Sequence, residues 1–315
     1  MGASVNELFG EAAGHRQEKA TTGSYGLAPP NYRLPAASRI GNVTLQVSDL
    51  RRARDFYERI LGFHVIAADA SRAVLGVEHG TAALITLVEH RTPASYRSRK
   101  RLGLFHIAIL LPSRRELGRF LRHLEAHGVR AGAGDHRVSE ALYLHDPDDL
   151  GIEVYADRPL EQWRRVGREL VMATDSVDVG ALLAAAGSDP WLGMPAGTTI
   201  GHVHLHVGDL DEASTFYGDA LGFDRMVWSY PDALFMAAGG YHHHLGTNTW
   251  AGAGAEPAQR DDPQLLEWTL LVPRPEDVGN VLTSLRQNDI AVVDDHGSAL
   301  VRDPWGTLLR VRSAG

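Results

Sequence analysis

Histidine is the residue type whose number and spacing in this chain most clearly point to chemistry. The chain has 16 histidines and no cysteine. His202, His204 and His206 alternate along one segment, and residues 242–244 are three consecutive histidines. Neutral imidazole is the commonest nitrogen ligand of transition metals, and histidine can also act as an acid or a base near neutral pH. The sequence therefore predicts a metal site, an acid-base site, or both.

The spacing limits how many of these histidines can share one cavity. Side chains two positions apart on a β-strand point to the same face. If 202–206 is a strand, its three histidines share a face. If 241–246 is also a strand, His243 faces one side while His242 and His244 face the other, so at most one of these two sets can face a cavity. The alternative interpretation of 242–244 is an exposed polar strand.

The elements that must position these residues occur twice in the chain. Segment 40–50 returns as 200–210, a shift of 160 positions, and the match continues through a Phe-Tyr pair and a Leu-Gly-Phe triplet. In the first copy, apolar alternation predicts a strand at 43–47 and helical spacing predicts a helix that ends at Gly62. Two more strands are predicted near 72–78 and 82–88.

A second unit of the same plan follows in each half, beginning at Leu104 and at Leu265. The sequence therefore predicts an α+β fold of four βαβββ modules. We divide the chain into four parts. They are an extended arm at 1–38, a first two-module domain at 39–157, a linker with a helix near 179–186 at 158–198, and a second two-module domain at 199–315.

Composition narrows the class of function. A net charge of -8 and a pI near 6.0 give no broad basic surface, so nucleic acid and anionic membranes are not expected partners. The absence of cysteine excludes disulfides, thiolate metal sites and cysteine nucleophiles. No early apolar run is typical of a signal peptide or membrane span, so we expect a cytoplasmic protein with a small-molecule ligand. A homo-oligomer is compatible with the sequence.

This pattern resembles the vicinal oxygen chelate superfamily, which includes glyoxalase I, bleomycin-resistance proteins and extradiol ring-cleavage dioxygenases. The resemblance rests on Asp-Leu followed by Phe-Tyr and Leu-Gly-Phe, which occur in both halves at matching spacing. It implies that two modules close around a cavity. Metal ligands would come from one position in the first strand and one in the last strand of each module.

Aligning the four modules identifies these positions. They are Asn42 and Ala83, then His106 and Glu153, then His202 and His243, then Glu267 and Arg310. Modules 2 and 3 together supply His106, Glu153 and His202, a two-histidine, one-carboxylate set that leaves coordination positions open. Modules 1 and 2 supply only two good ligands, and modules 3 and 4 would place a permanent cation beside the metal. We predict the first pairing, with His204 as an alternative ligand and an ion pair between the two module 4 residues.

Residues near these positions resemble extradiol dioxygenases, most of all the two-domain catechol 2,3-dioxygenase group. His136 and Tyr143 precede Glu153 as in that family, and His243 matches its acid-base histidine. The resemblance implies Fe(II), with Mn, Zn or Ni as alternatives, and a small aromatic diol and O2 as substrates. His243 would take a proton from the diol and later return one, while His136 and Tyr143 would hydrogen-bond the bound diol.

Two other functions fit the same fold, because this fold hosts many chemistries. One is a glyoxalase-type isomerase or transferase using Zn, Ni or Mn, which would favour a carboxylate where His243 stands. The other is a metal-free small-molecule-binding protein of the resistance type. Five aromatic residues are candidates either for a pocket lining or for the core. They are Trp228, Tyr230, Phe235, Trp250 and Trp268.

Overall fold

A computed structural model of the chain describes residues 17–80, 82–91 and 101–315. Within these residues the secondary structure consists mainly of strands, with few helices. The strands are β1 (Glu18–Lys19), β2 (Arg39–Val47), β3 (His64–Ala68), β4 (Arg72–Gly76), β5 (Ile85–Glu89), β6 (Arg101–Leu110), β7 (Gly132–Asp135), β8 (Ser139–His145), β9 (Gly151–Asp157), β10 (Arg164–Val166), β11 (Glu169–Leu170), β12 (Thr199–His206), β13 (Asp224–Val227), β14 (Ala233–Ala237), β15 (Leu245–Asn248), β16 (Glu256–Pro257), β17 (Gln264–Val272), β18 (Val292–Asp295), β19 (Ser298–Arg302) and β20 (Leu308–Ser313).

The helices lie between the first and second strands of each module and in the linker. They are α1 (Leu50–Phe56, continued by a π-helical turn Tyr57–Leu61), α2 (Arg114–Ala126), a 3-10 turn (Leu160–Gln162), α3 (Val179–Ala185), α4 (Leu210–Ala213, continued by a π-helical turn Ser214–Ala220) and α5 (Pro275–Gln287). The element order confirms the predicted α+β fold of four βαβββ modules.

The repeated Asp-Leu motif starts the first helix of each half. The Asp49 side chain accepts a hydrogen bond from Arg52 N at 2.9 Å, and Asp209 accepts one from Glu212 N at 2.8 Å. These bonds satisfy backbone donors that have no partner inside the helix. Gly62 ends the first helix with φ of 88°, a left-handed conformation that glycine adopts at little cost. The repeat thus encodes the same helix start twice.

The modules pair across the two halves of the chain. One sheet follows the order β13-β14-β15-β12-β6-β9-β8-β7, so it joins modules 3 and 2. The other follows β18-β19-β20-β17-β2-β5-β4-β3 and joins modules 4 and 1. The antiparallel pairs β6–β12 and β2–β17 form the two junctions. The pairing of modules 2 and 3, which the ligand count favoured, is confirmed.

The arm and the linker pack against the sheet of modules 2 and 3. Strand β1 pairs with β10 of the linker, and β10 pairs with β11. The Tyr25 hydroxyl donates a hydrogen bond to the Gly240 carbonyl at 2.6 Å. The predicted linker helix is present as α3, while residues 1–16 of the predicted arm lie outside the described residues. In the described part of the chain, no helix has the length and apolar character needed to cross a membrane.

Candidate active site

The three predicted metal ligands lie together, although they come from distant parts of the chain. His106 Nε2 is 3.0 Å from Glu153 Oε2 and 3.4 Å from His202 Nε2. His202 Nε2 is 3.3 Å from the same carboxylate oxygen. All three residues are buried, with exposed fractions of 5%, 2% and 1%. One donor atom from each residue therefore points to a single place, which could hold a metal ion.

The register of three neighbouring strands brings these residues together. His202 of β12 lies opposite Ala108 of β6, and Ala108 lies opposite Glu153 of β9. His106 precedes Ala108 by two positions and so shares its face. Because Ala108 has only a methyl side chain, the two larger side chains on either side of it can approach each other. The site thus depends on the junction between modules 2 and 3.

The site also favours the protonation state that metal ligands require. Burial works against ionisation of Glu153, but the neighbouring His202 and His106 outweigh it and hold the pKa of the carboxyl well below its usual range. Burial lowers the pKa of His202 to about 4, although the Glu153 charge acts in the opposite direction. A metal binds carboxylate and neutral imidazole. The donor set therefore fits a divalent transition metal.

A cavity of about 370 Å³ opens beside the three residues. This volume lies in the range of small-molecule sites, about 300 to 1,000 Å³. The lining combines polar groups near the ligand set with aromatic rings and one methionine. It consists of Phe105, His106, His136, Tyr143, Glu153, Met172, Thr174, His204, Tyr230, Phe235, His243 and Trp250. The cavity can therefore accept a flat apolar ring with polar groups at one end.

His136 and Tyr143 form a hydrogen-bonded pair in the cavity wall. His136 Nδ1 is 2.7 Å from the Ala173 carbonyl oxygen, which can only accept, so Nδ1 carries a proton. When Nε2 carries no proton, it accepts a hydrogen bond from the Tyr143 hydroxyl. Burial, reinforced by the Glu153 charge, raises the pKa of Tyr143 well above its ordinary value. Tyr143 therefore faces the cavity as a neutral phenol.

The secondary structure of the three consecutive histidines, residues 242–244, differs from the prediction. Strand β15 begins only at Leu245, so residues 242–244 precede the strand and do not alternate on it. All three are buried, which makes the exposed-strand interpretation wrong. His243 lines the cavity, and its ring centroid lies 4.0 Å from that of His202. Burial, reinforced by His202, lowers the pKa of His243 well below its ordinary value, so the ring is neutral near pH 7.

His204, the alternative ligand, lies in the wall outside the three-residue group. Its Nε2 accepts a hydrogen bond from the Asn248 amide at 2.9 Å, and the Asn248 oxygen accepts one from His206 Nδ1 at 2.6 Å. A Cβ at Gly246 would lie 2.8 Å from the His204 ring, so only glycine gives that ring enough room. The hydrogen bond to Asn248 therefore fixes the orientation of the His204 ring in the cavity wall.

Several lining residues were not identified from the sequence. Met172 and Thr174 come from the linker, and Thr174 Oγ1 is 3.0 Å from the Tyr230 hydroxyl. No periodicity marks the linker as part of a site, because its place depends on packing against a distant module. Of the five aromatic candidates, Tyr230, Phe235 and Trp250 line the cavity. Trp268 is a fully buried core residue, and Trp228 is 38% exposed.

The sheet of modules 1 and 4 has an ion pair at the equivalent positions. Arg310 Nε and Nη2 donate to the two oxygens of Glu267 at 2.9 and 3.1 Å, as the sequence predicted. Arg310 Nη1 also donates to Asp295 at 2.8 Å. Asn42 accepts a hydrogen bond from the Thr269 hydroxyl at 3.2 Å. The two sheets therefore share a fold but differ in the chemistry of equivalent positions.

Comparison with known proteins agrees with this architecture. The sequence profile of the Glyoxalase/Bleomycin resistance protein/Dioxygenase superfamily matches residues 39–154 and 199–311. A catechol-2,3-dioxygenase of Bacillus subtilis (strain 168) is 43% identical over 271 residues, which cover 85% of this chain and 94% of the relative.

Solved structures share the fold at low sequence identity. A presumed dioxygenase from Bacillus subtilis has a TM-score of 0.61 at 12% identity, covering 90% of this chain and 86% of its own. Glyoxalase I from Zea mays has a TM-score of 0.50 at 15% identity, covering 87% of this chain and 92% of its own. On the two matched segments and the 43% identity, the chain belongs to the Glyoxalase/Bleomycin resistance protein/Dioxygenase superfamily.

Proposed function

We propose that this protein is an Fe(II)-dependent extradiol dioxygenase that opens the ring of a catechol-type aromatic diol with O2. The observation that carries the proposal is that His106 and Glu153, two members of a two-histidine, one-carboxylate set, line the same cavity as the neutral His243. The 43% identity to a catechol-2,3-dioxygenase supports the same class of enzyme.

His106, Glu153 and His202 would hold the iron. Two imidazoles and one carboxylate are typical of non-haem Fe(II) oxygenases, because three protein ligands leave positions for substrate and O2. When bound, the iron supplies the redox chemistry that allows O2 to react with the diol. The same donor types accept Mn, Zn and Ni, so the choice of iron depends on the resemblance to dioxygenases and on the test below.

His243 would act as the general base and later as the general acid. A catechol hydroxyl must lose its proton to bind strongly as a chelate, and a neutral imidazole beside the ligand set can accept that proton. A group in this role contributes about 10² to 10⁴ to the rate. A carboxylate at this position would instead favour the isomerase alternative, so the presence of histidine supports ring cleavage.

His136 and Tyr143 would orient the diol. With His136 protonated at Nδ1 alone, the Tyr143 hydroxyl would direct its proton to His136 Nε2. Rotation about the phenol C–O bond would redirect that proton to a diol oxygen at no cost in packing. Phe105, Phe235 and Trp250 would hold the ring in place, which lowers the entropic cost of reaching the reactive geometry.

Anaerobic reconstitution with Fe(II), followed by a panel of catechols in air, tests the proposal. We expect about one iron per chain, consumption of one O2 per diol and a yellow ring-opened product. An isomerase would instead convert a hemithioacetal with Ni or Zn bound and leave catechols unchanged. A metal-free binding protein would bind ligands with no metal. A cytoplasmic location and a homo-oligomer stay predictions from the sequence.

A further inference from the structure

Three hydrogen-bonded side chains connect the end of β9 with the cavity. Asp157 Oδ1 is 2.9 Å from His242 Nε2, and His242 Nδ1 is 2.8 Å from His243 Nδ1. His242 is completely buried, whereas the Asp157 side chain is 30% exposed. His243 is the member that lines the cavity, so the two other residues lie behind it.

The carboxylate of Asp157 determines which atoms donate and which accept in this series of hydrogen bonds. An ionised carboxylate only accepts hydrogen bonds, so the His242 Nε2 atom facing Asp157 must carry a proton. In neutral His242 the Nδ1 atom is then bare. Two nitrogens 2.8 Å apart share one proton, and with His242 neutral that proton belongs to His243 Nδ1. In neutral His243 the remaining nitrogen, Nε2, is therefore the one with the free lone pair.

The surroundings hold this arrangement in place. The Tyr241 hydroxyl donates to the same Asp157 oxygen at 3.2 Å, and Tyr155 and Tyr241 hydroxyls are 2.7 Å apart. The Tyr241 ring lies against the His242 ring, with 4.0 Å between centroids. Trp163 packs on His242 at 5.5 Å. Because His242 is enclosed by these rings, it cannot turn to present a different nitrogen without disturbing its neighbours.

We propose that Asp157 and His242 are positioning residues that fix the tautomer of His243 and leave its Nε2 as a hydrogen-bond acceptor for the cavity. In the opposite tautomer Nε2 would carry a proton and could not accept one from a substrate hydroxyl. The role in turnover rests on the proposed dioxygenase function. The tautomer itself does not depend on that function and can be measured separately.

Nitrogen NMR of protein labelled with ¹⁵N-histidine and loaded with Zn(II), which is diamagnetic, measures the tautomer. The His243 signal is identified by its loss in His243→Ala. We expect the wild-type ring to be protonated at Nδ1, and protonation at Nε2 would overturn the proposal. In Asp157→Ala, His242 loses the acceptor for its Nε2 proton, so we expect the His243 proton to move partly or wholly to Nε2.

Two variants serve as matched controls. Tyr241→Phe removes the other donor to the same Asp157 oxygen but leaves the contact with His242, so the wild-type tautomer should persist. Asp157→Asn keeps an oxygen acceptor and should also retain it. A wild-type tautomer in Asp157→Ala would overturn the proposal, as would its loss in Tyr241→Phe. Should Asp157→Ala not fold, Asp157→Leu removes the same acceptor with a side chain of similar size, and a wild-type tautomer in that variant would overturn the proposal.

Kinetics test the role in turnover. In Asp157→Ala we expect kcat to fall about tenfold or more while KM and iron content stay within about twofold of wild type, because substrate and metal contacts are retained. A changed tautomer with unchanged kcat would overturn the role in turnover. If wild type cleaves no catechol, the proposed function fails, while the NMR result still decides the tautomer.

Discussion

Ala108 and His202 are registered partners on β6 and β12, the two strands that join the second and third modules. Glu153 lies on the other side of Ala108, so the methyl group of Ala108 lies between His202 and Glu153 in the register of the three strands. Ala108 is completely buried. The small size of Ala108 therefore allows the donor atoms of His106, Glu153 and His202 to lie close together.

Enlarging this residue should block the metal site. In Ala108→Val we expect metal affinity to fall by about 10-fold or more, because misplacing ligands through a neighbour typically costs 10- to 100-fold. Metal titration with a competing chelator measures the change. Ala141→Val is the matched control, since Ala141 belongs to the same buried cluster but pairs with Tyr155, which is not a candidate ligand. Equal metal affinity in Ala108→Val and wild type would contradict this account of the site.

Two glutamates, one in each sheet, should respond differently to substitution. Glu153→Gln should lose most bound iron while the fold is retained, because an amide replaces the only carboxylate of the set. Glu267→Gln should keep iron and activity and lose about 1 kcal/mol of stability, since its pair with Arg310 is about a quarter exposed and screened by solvent. Iron analysis and urea unfolding measure both. If Glu267→Gln lost iron and Glu153→Gln kept it, the iron site would lie in the sheet of modules 1 and 4.

The repeat explains how much of this architecture was predictable. Strand alternation and the capping aspartates Asp49 and Asp209 are local signals, so the modules and their helices could be read from neighbouring residues. The family resemblance implied which positions of a module carry ligands, and the alignment of modules then identified His106, Glu153 and His202 as candidates. The sequence repeat therefore made it possible to locate the same position in all four modules.

The remaining parts of the site depend on contacts that no local pattern encodes. Alternation failed for residues 242–244, because the chain turns before β15 and all three rings become buried. Thr174 reaches the cavity only because the linker packs over a distant module. The contact between Asp157 and His242 joins residues 85 positions apart. Such pairs follow from tertiary packing and become visible only in the structure.

Removing the His243 ring should separate acid-base chemistry from metal binding. His243→Ala should keep near-normal iron and substrate affinity but lose about 10² or more in kcat, as expected when a general acid-base group is removed. Steady-state kinetics and iron analysis on the same preparation provide the test. An iron-free variant would make His243 a ligand, and a fully active one would remove it from the mechanism.

A buried aspartate in the turn between β8 and β9 should make stability depend on pH. Burial raises the pKa of Asp146 to about 7, although the backbone N–H groups of Leu150 and Asp148 donate to it and act in the opposite direction. In the unfolded chain its pKa is about 4. Between these values the unfolded state releases the proton and the folded state retains it. Stability should therefore fall as pH rises from about 4 to 7, by at most about 1.4 kcal/mol per pH unit.

Asp146→Asn should remove this contribution, because the amide oxygen can still accept both backbone hydrogen bonds and carries no titrating proton. Relative to wild type, the variant should gain stability as pH rises from about 4 to 7 and show a constant difference above that range. Urea unfolding at a series of pH values measures the difference. Asp303 is held by Trp305 N and Thr307 N in the same way, and burial raises its pKa too, so Asp303→Asn should act in the same direction. A difference between Asp146→Asn and wild type that does not change with pH would show that the Asp146 carboxyl titrates alike in both states.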